Sequence, residues 1–328
     1  MALHQYLVAE VAQDHGDGVL SRREALRRLG LLGLSLSAGS AVLAACGSDD
    51  DGASSTGTTS TTAAAAPAAT TAASVTTPAE ATAPAATETD ATEPPTSVAA
   101  GSVEPITFPG PAGPLQGYYA PAADARGAVL IIHENRGLTP HFQELPGRSA
   151  ASGYSALAVD LLSRQGGTAS FSDSGAVTAS LGSASEEDLV ADMRAALDEL
   201  ARRQPDQGLA IVGFCFGGGQ VWSLLDAGEP RLAAAVPFYG PGPGDADFSG
   251  SAAAVLGVYA ELDGRVNDSM DEMTEALGAA GLSHEMRVFP GVDHAFFNDT
   301  GPRYDAAQAE AAYSATIEWF DEHVAAGA

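Results

Sequence analysis

Cys215 stands in Gly213-Phe214-Cys215-Phe216-Gly217-Gly218-Gly219, directly after the apolar run Leu209–Phe214. This is the G-x-S-x-G pattern of a nucleophile on a sharp strand-to-helix turn, with cysteine in the serine position. Such a turn needs small flanks, because neighbouring backbone passes close to it. The helix that follows points its amino end at the sulfur, which favours a thiolate and a later oxyanion. Two partners come downstream. Asp263 lies in Ala260-Glu261-Leu262-Asp263-Gly264-Arg265-Val266, and His294 in Gly291-Val292-Asp293-His294-Ala295-Phe296. The chain order nucleophile, acid, histidine suits covalent catalysis: the imidazole takes the thiol proton, and the carboxylate fixes its tautomer. Glu261 and Asp293 are rival acids, ranked below Asp263 because L-D-G-x-V is the usual acid turn. The bland alternative for Cys215 is a buried, inert thiol in a glycine-rich turn.

These residues need a frame. Gly127–His133, Tyr154–Asp160, Leu209–Phe214, Ala233–Tyr239 and Ala254–Tyr259 are short apolar runs of the kind that buried parallel strands show. His284–Phe289 is less apolar and belongs nearer an edge. Helices are predicted over Glu186–Arg203, where Leu189, Met193, Leu197 and Leu200 repeat at three or four residues, and over Asn267–Ala280 and Tyr304–Val324. Strand–helix alternation predicts an α/β fold, a mostly parallel sheet with helices on both faces. Residues 104–120 add an antiparallel pair at its edge. Active residues collect at the carboxyl ends of such strands, where all three motifs fall.

The G-F-C-F-G-G-G turn, the His133-Glu134-Asn135-Arg136-Gly137 loop and the G-V-D-H-A-F-F-N-D segment together resemble the dienelactone hydrolase family of the α/β-hydrolase superfamily, over residues 104–325. The resemblance implies a single α/β-hydrolase domain that cleaves esters or lactones through a cysteinyl acyl-enzyme, without metal or organic cofactor. It implies that Glu134 contacts the resting Cys215 thiol. It gives the oxyanion hole to the N–H groups of Asn135 and Phe216, and substrate binding to Arg164 and Arg136. A zinc-protease reading of His133-Glu134 fails, since H-E-x-x-H requires histidine where Gly137 stands. Two arginines clamp the substrate carboxylate in the family's best-known members. Here Asn298 occupies the place of the one four residues after the histidine, so a wider set of esters and lactones fits.

The rest of the chain bounds partners and place. Net charge is −27, and all 15 basic residues are arginine, a poor composition for binding nucleic acid. Cys46 and Cys215 are the two cysteines, too few for a disulfide framework. Residues 1–45 read as a signal peptide of the twin-arginine type, with Arg22-Arg23 ahead of the small apolar run Leu29–Ala45. The run closes in Leu43-Ala44-Ala45-Cys46, a lipobox with Cys46 as the lipidated residue. Residues 1–20 are long for a leader, and a mis-assigned start codon is a plain explanation. Residues 46–102, rich in Ala, Thr, Ser and Pro, read as a disordered linker, leaving 103–328 as the hydrolase domain. The expectation is a monomer on the outer face of the bacterial cytoplasmic membrane, touching it only through lipid. A solute-binding lipoprotein on a degenerate hydrolase fold, and a cell-wall polysaccharide or thioester enzyme, are the alternatives.

Overall fold

The computed structural model describes residues 3–46 and 101–324. Eight strands form one sheet: β1 (Glu104–Gly110), β2 (Gly113–Ala120), β3 (Gly127–Ile132), β4 (Tyr154–Asp160), β5 (Leu209–Phe214), β6 (Leu232–Phe238), β7 (Ala254–Ala260) and β8 (His284–Phe289). Their order is β1-β2-β4-β3-β5-β6-β7-β8. β1 and β2 pair antiparallel, β2 joins β4 antiparallel, and every later pairing is parallel. The strands read from apolar runs start and end within a residue of these bounds. β3, β4, β5 and β7 are buried along their whole length, whereas β8, at the edge, is half exposed. This is the α/β-hydrolase architecture.

Helices α4 (Pro140–Ala151), α5 (Ser174–Ser183), α6 (Glu186–Arg203), α7 (Phe216–Asp226), α8 (Gly264–Asn267), α9 (Met270–Ala279) and α10 (Ala306–His323) follow or precede the strands. Val129, Val212, Phe214 and Phe238 of the sheet meet Leu145 of α4 and Tyr313, Ile317 and Phe320 of α10. α6 begins on a side-chain cap, Ser185 Oγ accepting from Asp188 N–H, and carries three acids in its first turn and Arg202 and Arg203 in its last. Both charge placements favour the helix dipole. The C-terminal end of α10 closes one end of the sheet. A Cβ on Gly127 would lie 2.5 Å from Val324 Cγ1, and one on Gly208 would lie 2.8 Å from the Val324 carbonyl oxygen.

The front of the chain, read above as a leader, is helical. Residues 3–46 form α1 (Leu3–Gly16), α2 (Arg22–Leu31) and α3 (Leu36–Cys46). Gly33, at φ +88°, sits in the turn that breaks the apolar run between α2 and α3. The three helices belong to the same packed unit as the hydrolase fold, with Leu7, Val11, Ala25, Leu29 and Leu43 buried. Arg27 and Arg28 of α2 bond to Asp173 and Ser174 at the start of α5. Among the described residues no helix is long and apolar enough to cross a membrane. The linker predicted over 46–102 lies almost wholly outside the described residues.

Candidate active site

β5 runs into α7 through Cys215, whose backbone takes φ 57° and ψ −116°. That is strained for a residue with a Cβ. Main-chain bonds hold it: Cys215 N–H donates to Phe238 O at 3.0 Å, and Gly219 N–H to Cys215 O at 3.1 Å. The flanking glycines are steric requirements. A Cβ on Gly213 would lie 2.1 Å from Gly217 O, and one on Gly217 would lie 2.4 Å from Ile132 O. The turn thus presses backbone against the ends of β3 and β6, and sets the sulfur at the amino end of α7.

Asp263 follows β7 and caps α8, its Oδ1 accepting from Val266 N–H at 3.4 Å. Its Oδ2 is 2.5 Å from His294 Nδ1. Both side chains are buried. The rival acids are committed elsewhere: Glu261 accepts from Gly291 N–H, and Asp293 from the amide of His294. His294 Nε2 is buried and, among the described residues, has no hydrogen-bond partner. The His294 imidazole, the Cys215 sulfur and a Glu10 carboxylate oxygen lie within 4.8 Å of one another. That set of thiol, imidazole and carboxylate could also hold a divalent cation of the zinc class.

The charges are coupled. Burial pushes the Asp263 carboxyl up, but the facing imidazole, its hydrogen bond and nearby Arg265 outweigh this and leave it below the ordinary range. Burial pulls the His294 imidazole down, and Asp263 overcomes that, so it titrates higher than usual. The Cys215 thiol is pushed well up by burial first, then by Glu10 and Glu134. With α1 docked, the sulfur therefore rests as a thiol.

Glu134 and Asn135 both line the cavity at Cys215, which measures about 130 Å³ and is also lined by Arg136, His294, Asn298 and Arg303. Glu134 differs from the implied picture. Its carboxylate accepts from Asn298 Nδ2 at 2.8 Å and from the Tyr239 hydroxyl at 3.3 Å. The carboxylate on the sulfur belongs instead to Glu10 of α1, with Cys215 Sγ 3.4 and 3.5 Å from its two oxygens. The Tyr6 hydroxyl adds a contact at 3.2 Å. Burial pushes the Glu134 carboxyl up, and Asn298 pulls it part of the way back. The Asn135 side chain donates to Glu10 Oε1 at 2.5 Å. The Phe216 amide interacts with the Cys215 sulfur and favours its anion. Cys46 is the last residue of α3.

Arg164 corrects the expectation of a substrate clamp. Its guanidinium is bound by Asp188 and Asp192 of α6, at 2.7 Å each, and does not line the cavity. Asp192 is almost fully buried, so Arg164 serves it as a counter-ion. Arg164→Ala should leave kcat/KM unchanged and lower stability by about 3 kcal/mol, because a buried carboxylate loses its partner. Paired denaturant melts and ester assays would check both halves. The arginines that do line the cavity are Arg136 and Arg303. Arg303 lies nine residues after His294, whereas the family motif points to position 298. Glu10 and Tyr6 were missed because they lie in the segment read as a leader, although Tyr6, Glu10 and Asp14, each four residues apart, would share one face of a helix there.

Known proteins bear on the family and the fold. The family model described as "Dienelactone hydrolase family" matches residues 115–324. A protein of Escherichia coli O157:H7, provisionally named as a carboxymethylenebutenolidase, is 32% identical over 231 residues, covering 64% of this chain and 85% of its own. One of Salmonella typhi with the same provisional name is 31% identical over 233 residues, covering 66% and 86%. A crystal structure from Klebsiella pneumoniae, provisionally named a dienelactone hydrolase, superposes with TM-score 0.60 at 28% identity, over 68% of this chain and 99% of that one. With its sheet, its turn at Cys215 and its match over residues 115–324, this chain belongs to the dienelactone hydrolase family.

Proposed function

We propose that this chain hydrolyses carboxylic esters or lactones with Cys215 as nucleophile. The observation that carries the reading is the buried His294, bound to Asp263 through Nδ1 and with Nε2 unpartnered beside the sulfur of the strained turn. Nε2 accepts the thiol proton as Sγ attacks the carbonyl carbon. The Phe216 and Asn135 amides and the amino end of α7 receive the oxyanion. The tetrahedral intermediate collapses to a thioester, and the imidazolium gives its proton to the departing alkoxide. Water then gives a proton to His294 and attacks the thioester carbon. The acid leaves, and the returning proton restores the thiol. Asp263 fixes the tautomer and stabilises the imidazolium throughout. Arg136 and Arg303 in the cavity wall suit esters that carry an acidic group, in keeping with the name of the Escherichia coli relative.

The twin arginines and the Leu43–Cys46 lipobox add the proposal of an exported, lipid-anchored enzyme. The catalytic reading is tested by quenching p-nitrophenyl acetate turnover in acid and mapping the protein by mass spectrometry. An acetyl thioester on the Cys215 peptide is the expected result. Turnover with the acyl group only on another residue would overturn the mechanism.

A further inference from the structure

We propose that α1 is a built-in plug of the active site, which holds the uncleaved chain inactive until the segment ahead of Cys46 is removed. The proposal rests on Cys215 being the nucleophile, as read above.

An attacking sulfur needs the substrate carbonyl carbon about 3–3.5 Å away. In this structure that space is filled by the chain itself. Glu10 places both carboxylate oxygens against Cys215 Sγ, and its Oε1 also accepts from Asn135 and lies 4.0 Å from His294 Nε2. A carboxylate there stands where the acid product of ester cleavage would stand. Unlike an ester, it has no leaving group and little electrophilicity, so it blocks the sulfur without being consumed. The Tyr6 hydroxyl also lies against the sulfur, at 3.2 Å.

The plug is anchored beyond the sulfur. Asp14 and Asp17 both accept from Arg303 Nη2, at 3.0 and 2.6 Å, and Asp14 lies 4.0 Å from Arg136. The cavity's two arginines are thus met by acids of the leader. The guanidinium of Arg265, two residues past Asp263, lies 4.5 Å from the centre of the Tyr6 ring, and its Nε donates to Gln13. Tyr6, Leu7, Glu10 and Val11 are nearly inaccessible. Substrate and α1 cannot share the site. α1 also lies outside the residues matched by the family model, so it is an addition to the catalytic frame. Cutting ahead of Cys46 would separate α1 covalently from the hydrolase domain and leave only these contacts to hold it.

The test uses the full chain with a specific protease site placed between residues 50 and 60. After folding it is cut, and the leader fragment is removed by gel filtration in high salt. Iodoacetamide labelling of Cys215 and p-nitrophenyl acetate hydrolysis are measured before and after. Both rates should rise at least tenfold, and a synthetic peptide of residues 3–17 should return them to the uncut level. In the uncut chain, Glu10→Ala with Asp14→Ala should raise labelling several-fold, with an unchanged circular dichroism spectrum. Equal labelling of cut and uncut protein, with the fragment shown to be gone, overturns the plug. Labelling that rises while no ester is turned over keeps the plug and overturns the catalytic reading.

Discussion

Cys215→Ala should cost about 10⁴-fold or more in kcat/KM for any ester the wild type cleaves, measured with α1 in the same state in both proteins. The size follows from what is lost. The oxyanion donors and the cavity survive, but the covalent route disappears and His294 has no thiol to deprotonate. The melting temperature should move little, because alanine keeps the Cβ that the turn already accommodates and removes only one buried sulfur. Cys215→Ser is the informative companion. It offers an oxygen nucleophile on the same turn, yet the hydroxyl gives up its proton less readily, so its rate should fall well below wild type. Retention of most activity by Cys215→Ala would point the chemistry to another residue.

Asp263→Asn should cost a comparable factor, about 10⁴ in kcat, since an amide at this place favours the wrong imidazole tautomer. It also has a stability signature with a defined sign. The Asp263 carboxyl titrates lower in the fold than in the unfolded chain, so its contribution is present above an unfolded value of about 3.9 and lost as pH falls through the folded one. The His294 imidazole titrates higher in the fold. Its contribution is fully present below about 6.5 and is lost as pH rises through the folded value. The two windows overlap between about pH 4 and 6.5, and there the gap in unfolding free energy between wild type and Asp263→Asn should be widest. Urea melts across pH 3 to 9 would show it. A gap independent of pH would mean that the pair does not carry charge in the folded state.

The frame was legible because buried parallel strands leave continuous apolar runs, and β3, β4, β5 and β7 are such runs. α4 and α5 escaped for physical reasons. α4 carries Pro140 and Pro146, which read as helix breaks, and α5 is built largely of small residues. At the site, residues named by local sequence came together: Asp263 and His294 are bonded, and Cys215 sits on its turn. What pairs across long separations was not legible. Arg164 looked free in its loop, and only the fold brings Asp188 and Asp192 to it. Glu10 precedes its sulfur partner by 205 residues, and nothing in a leader motif points at a distant thiol.

The seat of Val324 against Gly127 and Gly208 bears on the order in which the protein can be made. Gly127 starts β3 and Gly208 immediately precedes β5, and Glu134 and Cys215 follow the far ends of those two strands. α10 also lays Phe320 into the core, and the Trp319 indole donates to Ala254 O at the start of β7. A chain still emerging from the ribosome has the Cys215 turn, Asp263 and His294 before it has α10. Until the last helix is threaded out, the sheet stays open at one end, and the long-range pairings that align the three side chains have little to hold them. The alignment of Cys215, Asp263 and His294 should therefore form only once α10 has been translated.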